Sequence, residues 1–317
     1  MKLFLKKFFR YPIEFLIFII SISIFKIIPI KYARSFGILV AKTVGPKTSI
    51  HKLLLNNLRI AFPKKDKLWI EDTAFKSWIN IGCTIAEYSH LKKVSENIDL
   101  VENNYLEEIK SQKKNCIIVS AHSANWEVPG MSVKKLPIDI SAIVREPNNQ
   151  FVNSYIRSLR SKYSVKCYSK NKAGTKKLLS NFRNGDSLAL LADQQLSSGI
   201  EMSFFKKKMK FSSLPAQLGL KYHCDIYLGW PIRKEDYSLS FEIIDCIKTQ
   251  GLSQTDEEIQ NITKKIIEFY ELMIEKYPHQ YFWLHDRWKI KLINKLFTFY
   301  LINKAGSTYS LKTITPQ

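Results

Sequence analysis

The 317-residue sequence is poor in residues that interrupt or staple a chain, with 11 glycines, 11 prolines and five cysteines. So little glycine and proline excludes a collagen-like or low-complexity chain, and no Gly/Ser-rich linker divides it. The cysteines (Cys83, Cys116, Cys167, Cys224 and Cys246) form an odd set without a C-x-x-C pair. That argues against a disulfide framework and against a zinc site, and it suits a reducing compartment. Cys116 and Cys246 stand inside apolar stretches and read as small core residues. Acidic residues are scarce too, 28 against 49 lysines and arginines, for a net charge of +21. Such a surface favours polyanions: nucleic acid, anionic lipid headgroups, or phosphorylated substrates and carriers. An A/T-rich coding bias would raise lysine in any protein, so charge alone decides nothing. Long apolar runs are missing beyond the first thirty residues, which excludes a polytopic membrane protein. What is present is material for a core: 45% hydrophobic and 13% aromatic residues exclude disorder as the dominant state.

Lys2, Lys6, Lys7 and Arg10 precede an apolar run over residues 15–25. As a helix that run reaches only about 16 Å, whereas residues 12–30 reach about 28 Å, near the hydrocarbon thickness of a bilayer. The longer segment takes in Glu14, Lys26 and Pro29. A secretory signal has the same basic start, but no small-x-small cleavage site follows Phe25, so residues 1–31 read as an uncleaved anchor with its flank. Lys26, Lys31 and Arg34 lie beyond the run, so basic residues flank both sides and give no orientation.

Residues 69–91 predict an amphipathic helix, with Ile70, Phe75, Trp78, Ile81 and Ile85 near helical spacing. Short apolar runs at 116–121, 140–145, 187–192, 225–231 and 240–247 resemble buried strands. Helices are expected between them at 151–163, 174–184 and 214–222. Thr255-x-x-Glu258 is a capping box, and it opens a last helix whose apolar face runs from Ile259 to Met273 and ends before Pro278. Alternating helices and strands without a linker predict a single α/β domain behind the anchor.

His122 follows the first of these strands directly, where α/β sheets place their ligands. Glu127, five residues on, lies about 500° around an ideal helix, so the two meet only if a turn separates them. If they do, Glu127 orients the imidazole and His122 acts as general base. Metal binding is the weaker reading, since no third ligand stands at helical spacing and no H-E-x-x-H occurs.

The stretch His122-Ser-Ala-Asn125-Trp126-Glu127 resembles the H-x-x-N-W-E block of the bacterial lipid A biosynthesis acyltransferases, the lauroyl/myristoyl type, within the H-x4-[DE] glycerolipid acyltransferase superfamily. Further blocks occur in the same order. Arg145-Glu-Pro-Asn148 is similar to the family's arginine block, and Gly185-Asp186 with Asp193-Gln194 to its Gly…Asp-Gln block. Phe204-Phe205 is similar to its Phe-Phe element, and Trp283-Leu-His285-Asp-Arg287-Trp288-Lys289 to its W-x-H-x-R-W-K close. Three positions depart from the pattern: Ser123-Ala124 replaces an aromatic, Gln195 stands where Asp or Asn is common, and Lys206 where glycine is typical. These leave chain length and acceptor open more than the reaction.

The resemblance implies a glycerolipid-acyltransferase-like α/β domain over residues 32–300, with a central mixed sheet flanked by helices and a C-terminal tail at 301–317. It implies an acyl carrier protein thioester as donor, a hydroxyl of a phosphorylated lipid A precursor as acceptor, and no cofactor. His122 would be the base and Glu127 its partner, with Asn125, Trp126, Arg145, Asp193, Gln194 and Arg287 toward substrate. Arg145 would take a phosphate bidentately or form a plain surface ion pair, and Asp193-Gln194 would position the acceptor, supply an oxyanion donor or form a structural turn. Basic clusters recur at Lys170, Lys172, Lys176 and Lys177, at Lys206–Lys208 with Lys210, and at Arg287, Lys289, Lys291 and Lys295. They are solvated faces or docking surface for an acidic carrier. Trp283 and Trp288 would sit at headgroup level or pack in the core. The expected site is the bacterial inner membrane, with the domain facing the cytoplasm. Competing readings are another glycolipid or lysophospholipid acceptor and, in a different class, a tethered nucleic-acid-binding protein. The latter lacks any helix-turn-helix, finger or aromatic RNA-reading motif.

Overall fold

The computed structural model describes residues 6–112 and 114–289. The expected tail at 301–317, with Lys291 and Lys295, lies outside the described residues. A π-helical turn at Lys6–Arg10 leads into α1 (Tyr11–Ile27), which stops just before Pro29, as the residue preceding a proline disfavours helical geometry. Pro29 then opens α2 (Ile30–Val44), followed by α3 (Ser49–Ala61) and α4 (Lys67–Glu87). The Asp66 carboxylate caps α4 by accepting from the Trp69 amide at 2.7 Å. The helix predicted at 69–91 therefore ends early: a 3₁₀ turn at Tyr88–His90 separates α4 from α5 (Leu91–Glu96).

The rest alternates: β1 (Asp99–Leu100), α6 (Asn104–Ser111), β2 (Ile117–Ser120), α7 (Val128–Val133), β3 (Ile140–Val144), α8 (Gln150–Tyr163), β4 (Lys166–Ser169), α9 (Lys172–Arg183) and β5 (Ser187–Leu191). Then come β6 (Ile200–Phe204), β7 (Lys207–Phe211), α10 (Leu214–Tyr222), β8 (Ile226–Arg233), β9 (Leu239–Ile247) and α11 (Asp256–Lys276). The Thr255 hydroxyl caps α11 by accepting from the Glu258 amide at 3.2 Å, as the capping box predicts. Seven strands form a mixed sheet in the order β1-β9-β8-β2-β5-β3-β4, and β6 and β7 form a separate hairpin. Only β8 and β9 pair antiparallel within the large sheet.

The central strands β2, β5 and β8 are buried almost throughout, which is why they read as continuous apolar runs in the sequence. The chain is thus an α/β fold with a mixed sheet flanked by helices, behind an N-terminal apolar helix. The sequence reading missed β1, β4 and the β6–β7 hairpin. The first is two residues long, β4 is half-exposed, and β6 and β7 are short and interrupted by Glu201 and by Lys207, Lys208 and Lys210.

Candidate active site

Strands β2 and β5 are parallel neighbours in the register Val119↔Leu190 and Ser120↔Leu191. Two residues beyond this last pair stand His122 on one strand and Asp193 on the other, at the carboxyl edge of the sheet. Their side chains meet: His122 Nδ1 lies 2.6 Å from Asp193 Oδ1, which also accepts the His122 backbone N–H at 3.1 Å. Arg287, fully buried, donates to the other carboxylate oxygen at 3.1 Å and stacks 4.2 Å over the Tyr281 ring. Burial alone would push the Asp193 carboxyl up, but its contacts with His122 and with the Arg287 guanidinium hold it well below the carboxylate range. Asp193 is therefore an anion at neutral pH, and it places the neutral imidazole's proton on Nδ1. Nε2 is left as the basic nitrogen, and the Gln194 amide nitrogen donates to it from 3.3 Å.

The loop after His122 turns sharply through Ala124, whose φ of 45° lies in the left-handed region. The segment Gln280–Phe282 straps it down. The Ala124 amide donates to the Gln280 carbonyl at 2.9 Å and the Phe282 amide to the His122 carbonyl at 2.8 Å. This is the turn that a His122–Glu127 pair requires, yet that pair is not made. Glu127, which immediately precedes α7, accepts instead from Arg160 Nε at 2.9 Å and from the Tyr88 hydroxyl at 2.6 Å. The carboxylate on the imidazole is Asp193, reached by strand adjacency, rather than Glu127, reached by sequence spacing.

Asn125 also differs from expectation. It is fully buried and donates to Glu87 at 2.8 Å, while its carbonyl oxygen accepts the Glu127 amide at 3.0 Å. Glu87 in turn is held by Arg233, bidentately, and by Arg34 at 2.8 Å. Burial disfavours the Glu87 charge, but these two guanidiniums outweigh it and keep the carboxyl below its usual range. Asn125, Asp193 and Arg287 thus stand behind the wall of the site rather than toward a substrate.

A cleft of about 520 Å³ opens over this machinery, within the range of small-molecule sites. His122, Trp126, Glu127, Arg145 and Gln194 all line it, and Ile118, Val133, Ala142 and Ala189 give it an apolar interior. Arg145, at the end of β3, is exposed on its wall and makes no ion pair among the described residues. Trp126 donates from Nε1 to the Tyr88 hydroxyl at 2.8 Å and meets Phe282 edge-on at 5.3 Å. Tyr88, Arg160, Phe282 and His285 complete the wall, and the sequence reading assigned none of them a place in it. Burial, with Arg287 and His122 close by, lowers the His285 imidazole to about 4, so it is neutral at pH 7. Among the described residues, no group of three or more His, Cys, Asp or Glu is arranged to hold a metal.

A histidine held by a buried carboxylate at the edge of an α/β sheet, above a cleft with an apolar floor, is equipment for group transfer to or from a lipid. Residues 2–290 match the family model of the bacterial lipid A biosynthesis acyltransferases, and the chain belongs to that family. It is an acyltransferase. Among solved structures it is similar to the 1-acyl-sn-glycerophosphate (LPA) acyltransferase of Thermotoga maritima, at 13% identity and a TM-score of 0.37, over 76% of this chain and 98% of that one. No curated protein matches the sequence significantly.

Proposed function

We propose that this enzyme moves a fatty acyl chain from an acyl carrier protein thioester to a hydroxyl of a phosphorylated lipid A precursor. The observation that carries the reading is the His122–Asp193 pair, whose Nε2, met by the Gln194 amide alone, stands at the wall of a cleft with an apolar interior. An acceptor hydroxyl is a poor nucleophile at neutral pH, so His122 Nε2 removes its proton as the oxygen attacks the thioester carbonyl. Asp193 holds the tautomer and stabilises the imidazolium, and Arg287 positions Asp193. The tetrahedral intermediate collapses with loss of the carrier thiolate, which takes the proton back from His122. Glu127 serves the cleft through its bonds to Arg160 and Tyr88 and shapes its wall beside Trp126. Arg145, exposed and unpaired, suits a phosphate of the acceptor.

The N-terminal helix over Phe8–Ile27 is long and apolar enough to cross a membrane, and only 6% of its apolar window is buried. It supports an anchor in the inner membrane, with the domain on the cytoplasmic face where an acyl carrier protein is found. Mass spectrometry of lipid A from cells with and without the chain tests the reaction, and loss of one acyl chain on deletion is expected. Unchanged lipid A together with altered phospholipids would move the acceptor to a lysophospholipid. In purified, folded enzyme His122→Ala should lower kcat by about 10²–10⁴-fold. Full activity in that variant would end the mechanism.

A further inference from the structure

The cleft wall holds a second histidine that the His122–Asp193 pair does not use. His285 is fixed through its backbone: buried Asn57 on α3 donates from one amide nitrogen to the carbonyls of Trp283 at 2.7 Å and His285 at 2.9 Å. Its ring is not committed in the same way. Nδ1 is buried without a hydrogen-bond partner, and among the described residues Nε2 has none either. The ring lines the cleft and lies within electrostatic reach of His122, Asp193 and Arg287.

Several of the other donors around His122 are taken, while Arg145 is exposed on the cleft wall and Gln194 already reaches His122 Nε2. Trp126 Nε1 is given to Tyr88, Arg160 to Glu127, and Arg287 to Asp193 and the Phe282 carbonyl. A neutral imidazole carries one proton, and burying an unpaired N–H costs more than burying an unpaired lone pair. The proton therefore belongs on Nε2, and the covered Nδ1 keeps the lone pair.

We infer that His285 is a further catalytic residue, donating its Nε2–H to the oxygen that turns negative when the thioester carbonyl is attacked. This rests on the acyl-transfer reading above. As the acceptor oxygen bonds to the carbonyl carbon, its proton passes to His122 and the carbonyl π electrons move onto oxygen. That oxyanion receives a hydrogen bond from His285, with no proton transferred. When the C–S bond breaks the carbonyl re-forms, and the thiolate takes the proton from His122. Burial keeps His285 neutral, so it carries no charge that would bind anions indiscriminately, and its rigid seat removes reorganisation during the reaction.

The experiment uses the full-length protein in detergent, with myristoyl-acyl carrier protein and a phosphorylated lipid A precursor as probes. It compares His285→Phe, His285→Ala, His285→Gln and His122→Ala. Loss of one oxyanion donor costs about 10²–10³-fold in kcat. His285→Phe and His285→Ala should lose that order with KM for either substrate little changed. His285→Gln, which restores an N–H of similar reach, should recover part of it. Thermal melts monitor folding, and a merely structural role would track melting temperature without the rescue by glutamine. Full kcat in folded His285→Phe beside an inactive His122→Ala would overturn the role of His285 and leave the reaction standing. So would a loss confined to KM. Transfer that survives in both His122→Ala and His285→Phe would end the base mechanism at His122, and this role with it, while no transfer to the lipid A precursor by the wild-type enzyme would sink the reaction itself.

Discussion

At the scale of single residues, Asp193 decides whether His122 can work. The carboxylate is fully buried between an imidazole and a guanidinium, so its shape and its charge have separate consequences. Asp193→Asn keeps the shape. The amide can turn its N–H toward Nδ1, which puts the ring proton on Nε2 and removes the base. We expect kcat to fall by about 10²–10⁴-fold in folded protein, with acyl carrier protein still bound, as steady-state kinetics beside a binding titration will show. Near-normal kcat would mean that Asp193 is only a structural partner of Arg287. The folded pKa of Asp193 lies below its unfolded value of about 3.9, so its stabilising contribution is complete above that value. It is lost as pH falls through the lower folded pKa. Half of the pairing was legible in the sequence, since both residues follow apolar runs read as strands. The other half depends on β2 and β5 being neighbours, and strand order leaves no local trace. Glu127 was the nearest carboxylate in sequence, and spacing therefore favoured it.

Among the elements, the crossing of α2 and α4 connects the amino-terminal helices to the catalytic loop. Gly37 and Gly82 let the two backbones touch: a Cβ on Gly37 would stand 2.4 Å from the Gly82 carbonyl oxygen. One turn further along, Arg34 on α2 reaches Glu87 on α4, and Glu87 holds Asn125 beside the His122 turn. None of this was legible, because Arg34 reads as membrane flank, Glu87 falls inside the predicted helix at 69–91 without being singled out, and Arg233 lies beyond the strand-like run at 225–231. Long-range ion pairs inside a fold carry no periodicity. Glu87→Ala leaves Arg233 buried without its partner, which typically costs about 3–5 kcal/mol. Denaturant titration should show that loss. Replacing Glu87 and Arg233 together by leucine and methionine should recover much of it, since the desolvation of both charges is then avoided. If the double variant is no more stable than Glu87→Ala, the cluster is held by something other than charge pairing. The buried strands, by contrast, were legible to within about two residues, because covered parallel strands must be apolar throughout.

For the whole molecule, the question is how a protein of net charge +21 meets a bilayer, through charge or through apolar surface. The two respond differently to salt. Exposed lysines lose their attraction to anionic headgroups once the Debye length shrinks to about 3 Å at 1 M salt, whereas apolar burial does not weaken. Helix α1 is not a free projection: Phe15 meets Phe151 and Phe18 meets Tyr155 on α8, with ring centroids 5.7 and 5.6 Å apart, and Asn149 donates to the Tyr11 carbonyl at 2.9 Å. Ile13, Ile17, Ile20 and Ile24 are exposed and leave those contacts alone. Changing these four together with Leu16 and Ile27, also exposed, to asparagine should therefore preserve the fold while removing the apolar face of α1. We expect the wild-type chain to stay with anionic vesicles at 1 M salt, and the six-fold variant to bind at low salt and wash off at high salt. Release of the wild type by salt would make the attachment electrostatic and remove the case for an anchor. Retention of the variant would shift the apolar attachment to α2, where Tyr32, Phe36 and Leu39 are exposed. The same logic separates the lysines of the β6–β7 hairpin from the membrane. If Lys206, Lys207 and Lys208 dock an acidic carrier, changing them to glutamate should raise KM for acyl carrier protein and leave vesicle binding at 1 M salt untouched. An unchanged KM would leave those three lysines as solvated surface.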